Sequence, residues 1–147
     1  MKKVIFFLIL FLSYSMADTL QYSRYYSSAL YKAKKESKPL MVMVALRGCP
    51  ACEHMENFVF LKDEVITYMN KNFISVIMHR GEDSIPLKFD TPDSPTFFFL
   101  NPFTKKEMGD RFIGGKSPEK FLKIVKDRTE LFHNILKENN KTQTKIK

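Results

Sequence analysis

The segment that decides the fold is LMVMVALRGCPAC at residues 40–52, an apolar run that leads into two closely spaced cysteines. Residues 40–46 are apolar on both faces, which predicts a central β-strand covered on both sides. Cys49 and Cys52 are the only cysteines of the chain, and Pro50 suits the first turn of a helix that begins at the first cysteine. A strand that ends in C-x-x-C and leads into a helix is typical of a dithiol redox site.

The positions of the two cysteines predict a different role for each. Cys49 lies at the helix start, where the helix dipole and the free backbone N–H groups favour a thiolate, and we expect it to be the attacking sulfur. Cys52 lies one turn into the helix, where we expect it to be more buried and to resolve a mixed disulfide by attacking Cys49. Because so close a pair closes only a tiny loop, a disulfide between them stabilises a fold little, and chemistry explains the pair better.

The rest of the chain predicts the elements of one α/β domain. Helical periodicity predicts a helix over residues 20–38, which Pro39 ends. Further along we expect helices over 49–60 and 63–72, strands over 73–78, 96–100 and 106–113 with a bulge at Gly109, and a last helix capped by Ser117. A parallel crossover followed by an antiparallel hairpin and a covering helix predicts a mixed central sheet with helices on both faces.

The first residues have the pattern of an export signal. Lys2 and Lys3 precede an apolar run over 4–12, and the small residues at 15–17 predict cleavage after Ala17. The apolar run is about half of the ~20 residues that a spanning helix needs, and an uncleaved membrane anchor is the alternative. We therefore expect a periplasmic or secreted protein with a signal peptide over 1–17, one domain over 18–138 and a polar, frayed tail over 139–147.

The formal net charge of +8 does not predict a nucleic-acid partner. The lysines are scattered and are densest at the C-terminal end, as in a solvated surface and tail. A single close cysteine pair also excludes a disulfide scaffold, which uses several distant pairs.

Four features in order resemble the thioredoxin-fold family. The C-x-x-C closes the first core strand, and SPT at 94–96 opens the hairpin strand, where the family has a cis-proline followed by threonine. The interval from Cys52 to Pro95 is close to the family's, and Gly114-Gly115 precedes the last helix. Upstream, ALYKAKKESKP at 29–39 resembles the leading helix of a subgroup. That subgroup includes secreted thioredoxin-like proteins and the C-terminal periplasmic domain of the bacterial transmembrane thiol:disulfide interchange reductase.

The resemblance implies an α/β thioredoxin fold with an extra N-terminal helix and a substrate-binding segment of Ser94, Pro95 and Thr96. A cis Pro95 would leave the backbone of Ser94 free to pair with an extended peptide. Such pairing recognises main-chain groups and therefore tolerates many substrates. An ordinary trans proline is the alternative. The implied partners are protein thiols and disulfides and a membrane electron donor, and we expect a monomer.

Residues beside the cysteines are candidates for tuning the potential. Pro50 and Ala51 separate the cysteines, and Arg47 adds a positive charge close to Cys49 in sequence. A solvated loop position is the alternative for Arg47. We expect no cofactor beyond the redox-active pair of Cys49 and Cys52.

The chain departs from the usual family pattern in two places, and from one branch of the family in a third. Arg47-Gly48 stands where an aromatic residue usually precedes the C-x-x-C. Met43 stands where thioredoxin has a buried carboxylate, so the proton relay of that acid is missing or is supplied elsewhere. Thr96 follows Pro95 where the haem-delivery branch carries a glutamate, which argues against that branch.

Four functions remain open at this point. The favoured one is an exported reductant of protein disulfides, a preference that rests on the subgroup resemblance. The same site run as an oxidant or isomerase is the second. A copper-binding or delivery module, in which His54 and Met55 join the two cysteines, is the third, although we expect no metal. A structural disulfide in a binding protein is the fourth.

Overall fold

A computed structural model of the protein describes residues 19–144, with side chains to residue 141. The predicted signal peptide over 1–17 and its cleavage site after Ala17 lie outside the described residues. Within the described part of the chain, no helix is long and apolar enough to cross a bilayer.

The described part of the chain holds the strands β1 (Tyr22–Ser23), β2 (Leu40–Ala45), β3 (Ile74–His79), β4 (Thr96–Leu100) and β5 (Phe112–Ile113). They form one mixed sheet in the order β1-β3-β2-β4-β5. Central β2 pairs in parallel with β3, from Leu40 opposite Ile74 to Ala45 opposite His79, and antiparallel with β4. All residues of β2, β3 and β4 are buried, as expected for strands covered on both faces.

Helices cover both faces of the sheet. They are α1 (Tyr26–Glu36), α2 (Pro50–Asn57), α3 (Asp63–Asn72) and α4 (Pro118–Thr144), with short 3-10 turns at Val59–Leu61 and Leu87–Phe89. One core packs α2, α3 and α4 against a face that includes Met43 and Phe97. The other packs α1 against a face that includes Val42 and Phe98. The predicted α/β architecture, a mixed sheet with helices on both faces, is confirmed.

The N-terminal helix is shorter than predicted. It begins at Tyr26 rather than at residue 20, because the preceding residues form β1 beside Ser75 and Val76 of β3. The side chain of Ser23 accepts a hydrogen bond from the Tyr25 N–H at 2.9 Å, which closes a turn ahead of the helix. Helical periodicity over 20–25 was therefore overridden by pairing with a strand far along the chain.

The return strand of the hairpin is also shorter than the predicted range of 106–113. Only Phe112–Ile113 pair continuously with β4, and Glu107 makes an isolated bridge to Leu100. The chain turns between them at Gly109, whose φ is +67°. A β-carbon there would lie 2.6 Å from the Arg128 guanidinium, which would have to shift, and the positive φ itself favours glycine.

Two helix ends differ from the predicted ones. The predicted helix over 49–60 is divided, because Phe58 with φ −133° ends α2 and a separate 3-10 turn follows at Val59–Leu61. The last helix continues to Thr144, through most of the segment that we expected to fray from Asn139. By contrast, α3 over 63–72 and β4 over 96–100 lie where the sequence predicts them.

Candidate active site

Strand β2 delivers the chain directly to the start of α2. Beyond Ala45 the chain turns at residues 46–48, where Gly48 has φ +73°, a conformation that glycine adopts without strain. The Cys49 N–H donates to the Leu46 carbonyl at 3.3 Å and closes this turn. Cys49 is the N-cap of α2, and Pro50 occupies the first turn, where its missing N–H costs nothing.

The Cys49 sulfur is partly buried and lies between two backbone groups. Its Sγ accepts a hydrogen bond from the Cys52 N–H at 3.4 Å, in the manner of an N-cap side chain. As a thiol it donates to the Ser94 carbonyl at 3.6 Å. A thiolate at this position keeps the N–H donor and faces the N-terminal end of the helix dipole.

The Cys52 sulfur is buried, with only 1% of the residue exposed. Burial raises the pKa of the Cys52 thiol to about 12, and its hydrogen bond with Cys49 acts in the same direction. The Leu46 N–H, 3.5 Å from Sγ, opposes this rise only in part. Both cysteines are free in this structure, and the raised pKa favours the protonated thiol of Cys52 at neutral pH.

The predicted substrate segment lies beside Cys49, although it is far away in sequence. The Ser94–Pro95 peptide bond is cis, and the Ser94 carbonyl is the one that faces the Cys49 sulfur. The Pro95 carbonyl accepts from the Gly114 N–H at 2.8 Å. The Thr96 side chain is buried and donates to the Asp93 carbonyl at 2.9 Å, so it holds the loop in place.

The predicted tuning residues fall into two groups. Pro50 and Ala51 lie in the first turn of α2 between the cysteines. The Arg47 guanidinium pairs with both oxygens of Glu82, at 2.8 Å from Nε and 3.1 Å from Nη2. Its charge is thus largely matched by Glu82, and its influence on Cys49 stays a prediction.

His54 and Met55, which the copper alternative adds to the two cysteines, both contact the backbone of Lys116. A ring nitrogen of His54 lies 3.2 Å from the Lys116 carbonyl, and the Met55 sulfur accepts the Lys116 N–H at 3.3 Å. Among the side chains described, no group of three or more His, Cys, Asp or Glu residues is placed to hold a metal ion.

Sequence reasoning missed a buried histidine behind the cysteines. The His79 side chain is 6% exposed, and its Nε2 lies 2.9 Å from Glu56 Oε1. Glu56, His79 and Cys52 line one cavity of about 180 Å³. The only sequence signal is that Glu56 follows Cys52 by one helical turn. His79 joins them through the pairing of β3 with β2, which the sequence does not reveal.

Asp83 fixes the backbone next to this cavity. It accepts the His79 N–H at 2.7 Å and pairs with Arg24 at 2.8 Å. Burial by itself raises the pKa of Asp83, but the His79 N–H and the Arg24 charge outweigh it and leave the pKa below its usual range. Asp83 therefore stabilises the folded state as a carboxylate.

Replacing Asp83 with alanine is expected to lower the free energy of unfolding at pH 7 by about 1.5–3 kcal/mol, the usual worth of hydrogen bonds to a charged group. Since the folded pKa is lowered, this difference should be complete above the unfolded pKa of about 3.9 and should shrink as the pH falls below it. Urea unfolding of both proteins at several pH values measures it. Asp90→Ala, at an exposed position, is the control, with an expected change within about 0.5 kcal/mol. Equal losses in both variants would contradict the assignment.

Comparison with known proteins places the chain in a family. The family model described as thioredoxin-like matches residues 21–102, which is more than half of the chain. The chain therefore belongs to the thioredoxin-like family, as the resemblance in its sequence predicts.

Individual relatives are consistent with this assignment. Anterior gradient protein 3 of Xenopus tropicalis is 33% identical over 92 residues, which are 62% of this chain and 56% of that protein. The chain thus spans little more than half the length of this relative. A solved structure of a candidate disulphide-isomerase from Bacteroides thetaiotaomicron has a TM-score of 0.64 and 25% identity, and covers 79% of this chain and 98% of its own. A thioredoxin from Thermus thermophilus has a TM-score of 0.63 and 26% identity, and covers 74% of this chain and 86% of its own. Together with the closely spaced Cys49 and Cys52, these similarities support a role in redox chemistry.

Proposed function

We propose that the protein is an exported thiol–disulfide oxidoreductase that reduces protein disulfides through Cys49 and Cys52. One observation carries the proposal, namely the asymmetry of the two sulfurs. Cys49 Sγ is partly exposed at a helix start and accepts the Cys52 N–H, whereas Cys52 Sγ is buried behind it. Such an arrangement separates an attacking sulfur from a resolving one.

The reaction proceeds in two exchanges. The Cys49 thiolate attacks one sulfur of a substrate disulfide, which forms a mixed disulfide and releases the other substrate sulfur as a thiolate. Cys52 then loses its proton and attacks Cys49 Sγ. The Cys49–Cys52 disulfide forms, and the electron pair of the broken bond leaves with the second substrate sulfur. Two electrons pass from the protein to the substrate, and no cofactor beyond the cysteine pair takes part.

The backbone at Ser94 supplies the substrate contact. A cysteine of the substrate that is bonded to Cys49 Sγ lies next to the Ser94 carbonyl, which is 3.6 Å from that sulfur. Pairing through main-chain groups ignores side chains, so it suits a reductant with several protein substrates. Pro95 and Thr96 hold this segment in place, since the Pro95 carbonyl accepts the Gly114 N–H and Thr96 donates to the Asp93 carbonyl.

A reductant outside the cytoplasm needs a supply of electrons. We propose a membrane electron donor that reduces the Cys49–Cys52 disulfide by the same exchange run in reverse, and we place the protein in the periplasm or among secreted proteins, acting as a monomer. The export pattern of residues 1–17 and the subgroup resemblance support this setting. An oxidant or isomerase would use the same atoms and differ only in potential.

Reduction of insulin disulfides by dithiothreitol is expected to be accelerated by the wild-type protein. A His54→Ala variant should retain this activity, because its ring bonds the Lys116 carbonyl and takes no part in the exchange. The turbidity of the released insulin chains is the measurement. Cu(I) affinity measured on the same two proteins provides the counter-test. Absence of reductase activity together with tight Cu(I) binding that requires His54 would favour the copper function instead.

A further inference from the structure

The resolving step requires Cys52 to lose a proton that its surroundings retain. Its thiol is buried, and burial raises its pKa to about 12, so the fraction of thiolate at neutral pH is minute. The position beneath it that carries an acid in thioredoxin is Met43, a fully buried thioether that accepts no proton. Fast resolution therefore needs another base within reach of Cys52.

Glu56 is placed to be that base. It follows Cys52 by one turn of α2, and both residues line the cavity of about 180 Å³ behind the cysteines. A polar cavity of this size has room for water, and proton transfer works directly or through one water. The Glu56 charge also raises the pKa of the Cys52 thiol, in addition to burial and the neighbouring Cys49, so the carboxylate acts on this sulfur.

His79 fixes where the Glu56 carboxylate lies. Its ring is 94% buried at the end of β3, with Nε2 2.9 Å from Glu56 Oε1. Asp83 Oδ2 lies 3.9 Å from Nδ1 on the other side of the ring and accepts the His79 backbone N–H. The imidazole is thus held between two carboxylates, and one of these lines the cavity beside Cys52.

We propose that Glu56, positioned by His79, accepts the proton of Cys52 when Cys52 attacks the mixed disulfide at Cys49. This inference rests on the proposed function and adds a residue to it. The S–H bond of Cys52 breaks, its proton moves to the carboxylate, and its electron pair forms the bond to Cys49 Sγ. The bond between Cys49 and the substrate breaks, and the substrate leaves as a thiolate. Glu56 then returns the proton to solvent through the open side of the cavity.

Other charged groups face Glu56 from the elements packed around it. Glu53 shares α2 and the cavity, Arg47 approaches from the loop after β2, and His79 packs from β3. Arg47 is itself paired with Glu82, and Asp83 with Arg24. Glu53 is the other carboxylate lining the cavity, so it is the matched control.

Single-turnover reduction of dithiobis(nitrobenzoate) separates the two chemical steps. The reduced protein releases one coloured thiolate when Cys49 attacks, and a second one when Cys52 resolves the mixed disulfide. We expect Glu56→Gln to leave the first phase unchanged and to slow the second by about tenfold or more at pH 7, within the range of general-base catalysis. The second phase of the variant should then rise by about tenfold per pH unit, because hydroxide replaces the lost base, whereas that of the wild type should be flatter.

The direction of the change distinguishes a base from a mere fixed charge. Because the Glu56 charge raises the pKa of Cys52, removing it increases the thiolate fraction. If Glu56 acted only as a charge, Glu56→Gln would therefore speed the second phase. A faster or unchanged second phase overturns the proposal. Glu53→Gln should stay within about twofold of the wild type, and an equal slowing in that variant would also overturn it.

His79 is tested as a positioning residue through a double-variant cycle. His79→Gln should slow the second phase in the wild-type background and should add nothing in the Glu56→Gln background. Further slowing there would remove His79 from the proposal. The amplitude and rate of the first phase show that each variant is folded with a working Cys49. A wild-type protein that releases only one thiolate would instead refute the proposed function, and this inference with it.

Discussion

A Cys52→Ala variant is expected to accumulate covalent mixed disulfides with its substrates, and a Cys49→Ala variant is expected to accumulate none. The reason is geometric, because only Cys49 Sγ is exposed enough to meet a substrate and only Cys52 lies behind it to release one. Steady-state reduction of insulin should fall to background in both variants. Acid quenching of host cells, alkylation and non-reducing electrophoresis measure the trapped species.

The variant that lacks both cysteines gives the background of that trapping experiment. Treatment with a reducing agent should remove every trapped band, since the link between the variant and its substrate is a disulfide. Equal trapping by the two single variants, or trapping by Cys49→Ala alone, would reverse the roles of the sulfurs. The fold would be unaffected by that result.

The reduction potential is expected to lie much nearer to the ~−270 mV of thioredoxin than to the ~−120 mV of the strongest periplasmic oxidant. Stabilising a thiolate favours the dithiol form and raises the potential. This site stabilises a thiolate only moderately. Burial keeps Cys52 protonated, Glu53 and Glu56 lie on the same helix as the cysteines, and Glu82 matches the charge of Arg47. The interval between the two extremes corresponds to about 7 kcal/mol, or about five orders of magnitude in the exchange equilibrium.

Equilibration against dithiothreitol or glutathione buffers measures this potential. Glu82→Gln should raise it, because the substitution frees the Arg47 charge to favour a thiolate at Cys49. Glu107→Gln removes a carboxylate that pairs with Arg111 and is the matched control, with no expected change. A wild-type value close to the oxidant extreme would overturn the direction of electron flow but not the fold or the use of two cysteines.

Local patterns predict the centre of this fold well. The buried run of β2, the C-x-x-C and the first turn of α2 follow from residues that are neighbours in sequence, as do α3 and β4. The errors concern residues whose state depends on distant partners. Tyr22 has helical periodicity but lies in β1, because the edge of β3 is available to pair with it.

The same limit applies to the candidate site. The position of Cys49 at a helix start follows from sequence, and so does the neighbourhood of Pro95 once the family is recognised. The pairing of Arg47 with Glu82 and that of His79 with Glu56 join residues 35 and 23 positions apart. No spacing rule connects them, because the loop after β3 and the register of β3 against β2 bring them together.

The two short edge strands have a consequence for contact with incompletely folded chains. An incompletely folded chain is prone to add a strand to any free edge of a sheet. Here the outermost strand at each edge of the sheet has only two residues, β1 on one side and β5 on the other. Neither offers a ladder long enough to template an incoming strand. The short edge strands in this way protect the protein against co-aggregation with incompletely folded chains.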